Sequence, residues 1–147
     1  MKTLILLLIT ATTFAQTSVN ISGSKYSGQI EIERSEESFY YKAQAEYNHQ
    51  EQFTNVGFGL GYNTAIDRFN IYKFHLGGKL GLISHTGQNV SGNATFGVET
   101  GVSAKLSDKI SIGAKYVMDW REDLKFFGVN LEPSFKGNAF LILKFEL

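Results

Sequence analysis

"AFLILKFEL", Ala139 to Leu147, closes the chain. Read at period two, Ala139, Leu141, Leu143, Phe145 and Leu147 share one face; Phe140, Ile142, Lys144 and Glu146 share the other. Successive side chains of a strand point to opposite faces. One face is therefore wholly apolar, while the other carries a charged pair among apolar neighbours. Which of them meets solvent, and whether that solvent is water, decides the fold.

The same alternation runs back through the chain in segments of about ten residues separated by turn residues. They are Tyr26 to Glu33, Phe39 to Tyr47, Phe53 to Tyr62, Phe69 to Ile83, Asn93 to Leu106, Ile110 to Trp120, Phe126 to Glu132 and Ala139 to Leu147. The pattern predicts eight strands, seven short connections and no helix. "TSVNISGSK", Thr17 to Lys25, reads as a lead-in or as an extension of the first strand.

One face of these segments is free of charge, as in Val56, Phe58, Leu60 and Tyr62 or Ile110, Ile112, Ala114, Tyr116 and Met118. The other carries Glu31, Lys42, Glu46, Lys73, Lys79, Glu99, Lys115, Asp119 and Lys144 among glycines and amides. In a soluble barrel the apolar face would be the core; in a membrane barrel it would meet lipid and the polar face would line the lumen. Three features favour the membrane. Gly57, Gly59, Gly61, Gly77, Gly97, Gly101 and Gly113 all fall on the polar face, where a narrow lumen needs space for long side chains and a water-exposed face does not. Aromatics of the apolar face gather towards strand ends, at Tyr41, Tyr47, Tyr62, Tyr72, Trp120, Phe127 and Phe145, where interfacial girdles sit. Strands of about 9 to 11 residues suit a tilted span. The expected architecture is an all-β, eight-stranded antiparallel up-and-down transmembrane barrel. Its lumen would hold a nearly neutral ion-pair network in which Lys42, Lys73, Lys79 and Lys115 each lie near a carboxylate.

The opening "MKTLILLLITATTFAQ" has a basic n-region at Lys2, an apolar stretch from Leu4 to Ile9, and small residues before Gln16. This is the form of an export signal, giving 1–15 as signal peptide and 16–147 as the barrel domain. There is no cysteine, which excludes disulfides, thiolate metal sites and a lipid-anchored N-terminal cysteine. With 14 basic and 14 acidic residues the chain has no net charge to attract nucleic acid.

The signal, the eight dyad-repeat strands and the closing "LILKFEL" together resemble the small eight-stranded outer-membrane β-barrel proteins of Gram-negative bacteria, the group of the OmpA membrane domain and OmpX, and the short barrel-domain proteins of the Bacteroidota. The resemblance implies residence in the cell outer membrane among its lipids and insertion by the barrel-assembly machinery. It implies a monomer with a structural or interaction role rather than catalysis. The group usually ends in Phe or Trp, whereas Leu147 is last here. With both termini periplasmic, the strands predicted above put the longest connection, "SHTGQNVSG", on the periplasmic side and leave the external connections short.

Candidate chemistry is sparse. His49 and His85 fall in predicted turns and His75 on the polar face, without metal-ligand spacing. Ser84 and His85 are adjacent on a strand, so they point apart. "GFGLG", Gly57 to Gly61, lacks the Lys-Ser/Thr and helix of a phosphate loop. "SEES" and "WRED" read as solvated turns. No cofactor or metal is expected. Eight strands enclose a lumen that side chains fill, so no wide pore is expected. The rival architecture is a soluble exported barrel enclosing a small apolar ligand, as in lipocalins. A lipid-modifying barrel enzyme would need Ser, His and acidic residues at one rim.

Overall fold

The computed structural model describes residues 16–86, 92–126 and 132–147. The expected signal segment therefore lies outside the described residues. Eight strands are present: β1 (Gln16–Gly23), β2 (Ser27–Glu36), β3 (Phe39–Asn48), β4 (Phe53–Ala65), β5 (Tyr72–His85), β6 (Asn93–Lys105), β7 (Ile110–Arg121) and β8 (Ser134–Glu146). Each pairs antiparallel with its sequence neighbours, and β1 pairs with β8, so the sheet closes into an up-and-down barrel. The described strands thus form a closed cylinder, the condition a sheet must meet in hydrocarbon.

The register fixes the barrel's dimensions. A line of paired residues from Asn20 passes through Glu31, Gln44, Gly57, Gly81, Thr95 and Arg121 to Ser134. Asn20 itself pairs with Lys144 on β8. The line returns ten residues from its start, from Ser134 to Lys144, a shear of ten over eight strands. With standard strand rise and spacing this gives a tilt of about 42° and a backbone radius of about 8 Å. Each residue then advances about 2.5 Å along the barrel axis.

The expected strand order needs correction at both ends. The segment 17–25 is neither a lead-in nor an extension of the first strand: β1 is a barrel strand of its own that closes the seam. Its outward face is short of apolar residues, with Val19 and Ile21 alternating with buried Ser18, Asn20 and Ser22, so the periodicity was faint. The expected strand Phe126 to Glu132 falls almost wholly outside the described residues. Glu122–Phe126 is a short 3-10 helix, residues 127–131 lie outside the described residues, and β7 pairs directly with β8 from Ile110↔Phe145 to Arg121↔Ser134. β8 also begins at Ser134 rather than Ala139, and Phe69 belongs to the turn before β5.

These shifts exchange the two ends of the barrel. Residue Gln16 and the C-terminal Leu147 lie at one end with the turns 37–38, 66–71 and 106–109. The opposite end carries 24–26, 49–52, 86–92 and 122–133. The two longest connections that close a hairpin opposite the termini, 86–92 and 122–133, therefore share an end. The expectation that "SHTGQNVSG" falls beside the termini is wrong.

Candidate functional site in the lumen and on the outer belt

The distribution of side chains is the reverse of that in a soluble barrel. Glu31, Glu33, Lys42, Glu46, Lys79, Glu99, Lys115 and Arg121 are buried, whereas Ile30, Ile32, Val56, Phe58, Leu60, Leu80, Val98 and Leu141 are exposed. The rival soluble barrel required the apolar residues inside, and the structure overturns it. Tyr41, Tyr62, Tyr72 and Phe145 lie towards the end with the termini, and Tyr47 and Trp120 towards the other; Phe127 lies outside the described residues. Phe39, Phe74, Phe96 and Phe135 extend the two rings. Phe39 and Tyr47 stand eight residues apart on β3, about 20 Å along the axis. That approaches the apolar band of about 25 Å between aromatic girdles in membrane barrels. Between the rings the described outward residues carry no charge. Of the outward hydroxyls there, that of Thr100 donates to the His75 carbonyl at 3.2 Å.

The centre of the lumen is an electroneutral tetrad. Lys42 Nζ lies 2.5 Å from Glu31 Oε1 and 2.6 Å from Glu99 Oε1, and Lys115 Nζ donates to the same Glu31 oxygen at 2.6 Å. Asn20 donates to Glu31 at 3.3 Å and the Tyr40 hydroxyl to Glu99 at 2.8 Å. Buried ions are tolerated only when paired and hydrogen-bonded, and both conditions hold. The glycines make the space. A Cβ on Gly61 or Gly77 would strike the Tyr40 hydroxyl, and one on Gly59 would lie 3.1 Å from Cε of Lys42.

Other predicted residues sit around this centre. Towards the termini, Lys144 donates to Glu33 at 2.8 Å and lies 3.8 Å from Glu146. Towards the opposite end, Lys79 Nζ is 2.7 Å from Asp119 Oδ2. Two residues depart from the expected network. Lys73 is exposed at the mouth beside the termini and makes no ion pair among the described residues. Glu46 is buried but makes none either.

A second cluster was missed. Arg121 donates to both carboxylate oxygens of Asp123, at 2.8 and 2.6 Å, lies 2.9 Å from Glu51, and stacks over Phe53 at 4.2 Å. His85 Nε2 is 2.8 Å from Asp123 Oδ2. "WRED" is thus not a solvated turn: Arg121 and Asp123 are buried and pin the start of the 122–133 connection over the lumen mouth. Burial pushes the Asp123 carboxyl up, but the hydrogen bonds from Arg121 and His85 outweigh it and hold the group below the usual aspartate value. Ser84 is exposed on the opposite face from His85, so the two do not meet.

The cavity beside the tetrad, lined by Tyr40, His75, Lys42 and Lys144 among others, has a volume of about 40 Å³. Wider openings of about 100 Å³ beside Lys73 and about 220 Å³ beside Tyr26 and Arg121 are confined to the mouths.

Solved structures share this fold. The crystal structure of Neisserial surface protein A (NspA) aligns with a TM-score of 0.59 and 16% identity, covering 90% of this chain and 94% of that one. A structure from the de novo design of transmembrane β-barrels aligns with a TM-score of 0.57 and 9% identity, with the same coverage of 90% and 94%. At these identities the likeness establishes the architecture, an eight-stranded barrel of the transmembrane kind. No protein-family profile matches the sequence. No curated protein matches it either.

Proposed function

We propose that this chain is a monomeric outer-membrane barrel that acts as a scaffold, without catalysis and without a solute channel. The observation that carries it is the inverted distribution of polarity: a buried, paired lysine–glutamate tetrad inside and an uncharged belt between two aromatic rings outside. In water that belt would expose an apolar surface far larger than a soluble monomer tolerates. In lipid it is the required surface. Lipid is then the main contact of the folded protein, and the closing strand is the segment offered to the assembly machinery. With the termini on the periplasmic side, the end of the barrel where β5, β6, β7 and β8 meet the 86–92 and 122–133 connections faces the exterior and is where any interaction would fall. The Arg121–Asp123–His85 cluster anchors the second of them.

Membrane fractionation with heat-modifiable gel mobility tests the placement. The unheated protein should sediment with outer membranes and migrate faster than the boiled protein. Soluble protein without a mobility shift would refute it. In planar bilayers the purified barrel should give no long-lived conductance, because the tetrad blocks the lumen. A reproducible channel carrying sugars or amino acids would refute the closed lumen.

A further inference from the structure

The apolar surface does not stop at the aromatic ring beside the termini. β4 and β5 run past the end of β3, and their turn carries Ile66 and Phe69, with Leu106 on the neighbouring β6–β7 turn. These three side chains are 61%, 82% and 65% exposed. Ile66 lies four residues beyond Tyr62, which places it about 10 Å further along the axis. At the end of β2 the same rim carries the outward charges Arg34 and Glu36.

The turn is also well fixed. Tyr72 N–H donates to Asp67 Oδ1 at 2.7 Å, Phe69 N–H to Asp67 Oδ2 at 3.0 Å, and Ile66 N–H to the Tyr72 carbonyl at 2.9 Å. Lys105 N–H donates to the Ile71 carbonyl at 2.8 Å, tying the neighbouring strand to the turn. Asn70 adopts φ 55°, a left-handed conformation that asparagine accepts more readily than most residues. Arg68, exposed and without an ion pair among the described residues, stands between Ile66 and Phe69. A cation flanked by apolar side chains suits the phosphate layer, where the apolar groups enter the acyl boundary and the guanidinium stays among headgroups.

We propose that the 66–71 turn, with Leu106, is a phospholipid-contact tongue that lies in the headgroup region of the leaflet at the termini end. The proposal rests on the membrane reading above. The surface is continuous with the lipid-facing belt through Tyr62, Tyr72 and Phe74, which makes the leaflet, rather than a second protein, its occupant. It extends the lipid contact on the β4–β6 side.

The test uses the full chain with Trp120→Phe, which removes the single tryptophan, and a new tryptophan at one site: Phe69→Trp, Leu106→Trp or Val98→Trp. Each is folded into phosphatidylcholine vesicles. Nitroxide lipids labelled near the headgroup or deep in the chain, and aqueous acrylamide, serve as quenchers. At Phe69 the shallow nitroxide should quench at least twice as strongly as the deep one, and acrylamide several-fold less than it quenches free tryptophan. Leu106 repeats the measurement if Phe69→Trp does not fold. At Val98 the deep nitroxide should dominate. Full acrylamide quenching at Phe69 without nitroxide quenching would overturn the tongue, as would protection from both quenchers, which would mean a protein covers it. In either case deep quenching at Val98 would leave the membrane reading standing; its absence would remove that reading too.

Discussion

Glu31 is the most informative residue to perturb. One of its oxygens accepts from both Lys42 and Lys115, at 2.5 and 2.6 Å, and the three side chains are at most 2% exposed. Glu31→Gln keeps the shape and removes the charge. Lys42 retains Glu99 at 2.6 Å, but Lys115 loses its one ion-pair partner among the described residues. Removing one member of a buried pair costs about 3 to 5 kcal/mol, because the remaining charge is left uncompensated. The expected cost is in that range. The second variant separates this cause from general damage: Glu31→Gln with Lys115→Met removes both charges and should recover more than half of the loss. Lys73→Met, at the mouth and without an ion pair, should change stability by about 0.5 kcal/mol or less. The assay is urea unfolding in phosphatidylcholine vesicles, followed by Trp120 fluorescence and checked by gel mobility. A cost below about 1 kcal/mol for Glu31→Gln, or a double variant no more stable than the single one, would refute the view that the tetrad is held by charge compensation.

Other outcomes follow from the belt and the loop anchor. Val98 is exposed near the middle of the apolar band, so Val98→Arg should destabilise the vesicle-folded barrel by about 2 to 4 kcal/mol, and Leu82→Arg, near the ring opposite the termini, by clearly less. Equal costs in the same unfolding assay would contradict the assigned depths. Asp123 has a lowered folded-state pKa, so its contribution is fully present above the unfolded value of 3.8 and is lost as pH falls through the lower folded value. Protease cleavage in the 122–133 connection should stay constant from about pH 7 to about pH 5 and rise only on further acidification, whereas Asp123→Asn should raise it already at neutral pH. Cleavage of the variant at the parental rate would show that Arg121 and His85 do not anchor this segment.

The fold class was legible in the sequence because strand periodicity is local. Alternation in "FTNVGFGLGY" or "ISIGAKYVMDW" sorts residues into two faces without knowledge of any partner strand, and clustering of glycine on the charged face marks that face as crowded. Strand identity was less legible. "QTSVNISG" has only Val19 and Ile21 to mark its outer face, so a closing strand paired to β2 and β8 read as a lead-in or as an extension of the first strand. Phe126 to Glu132 alternates in the same way, yet β7 pairs directly with β8. The count stayed at eight while the ends were exchanged, which inverted the expected placing of the long connections. The partners inside the lumen were set by the tertiary structure alone. Glu31 and Lys115 are 84 positions apart in sequence, and they meet because a shear of ten over eight strands brings β2 and β7 to one height across a barrel of about 8 Å backbone radius. The same closure buries Arg121 and Asp123 over the mouth and leaves Lys73 outside the network. Composition determined that the inward charges nearly cancel. Which lysine meets which carboxylate depends on register, a property of paired strands that no single segment contains.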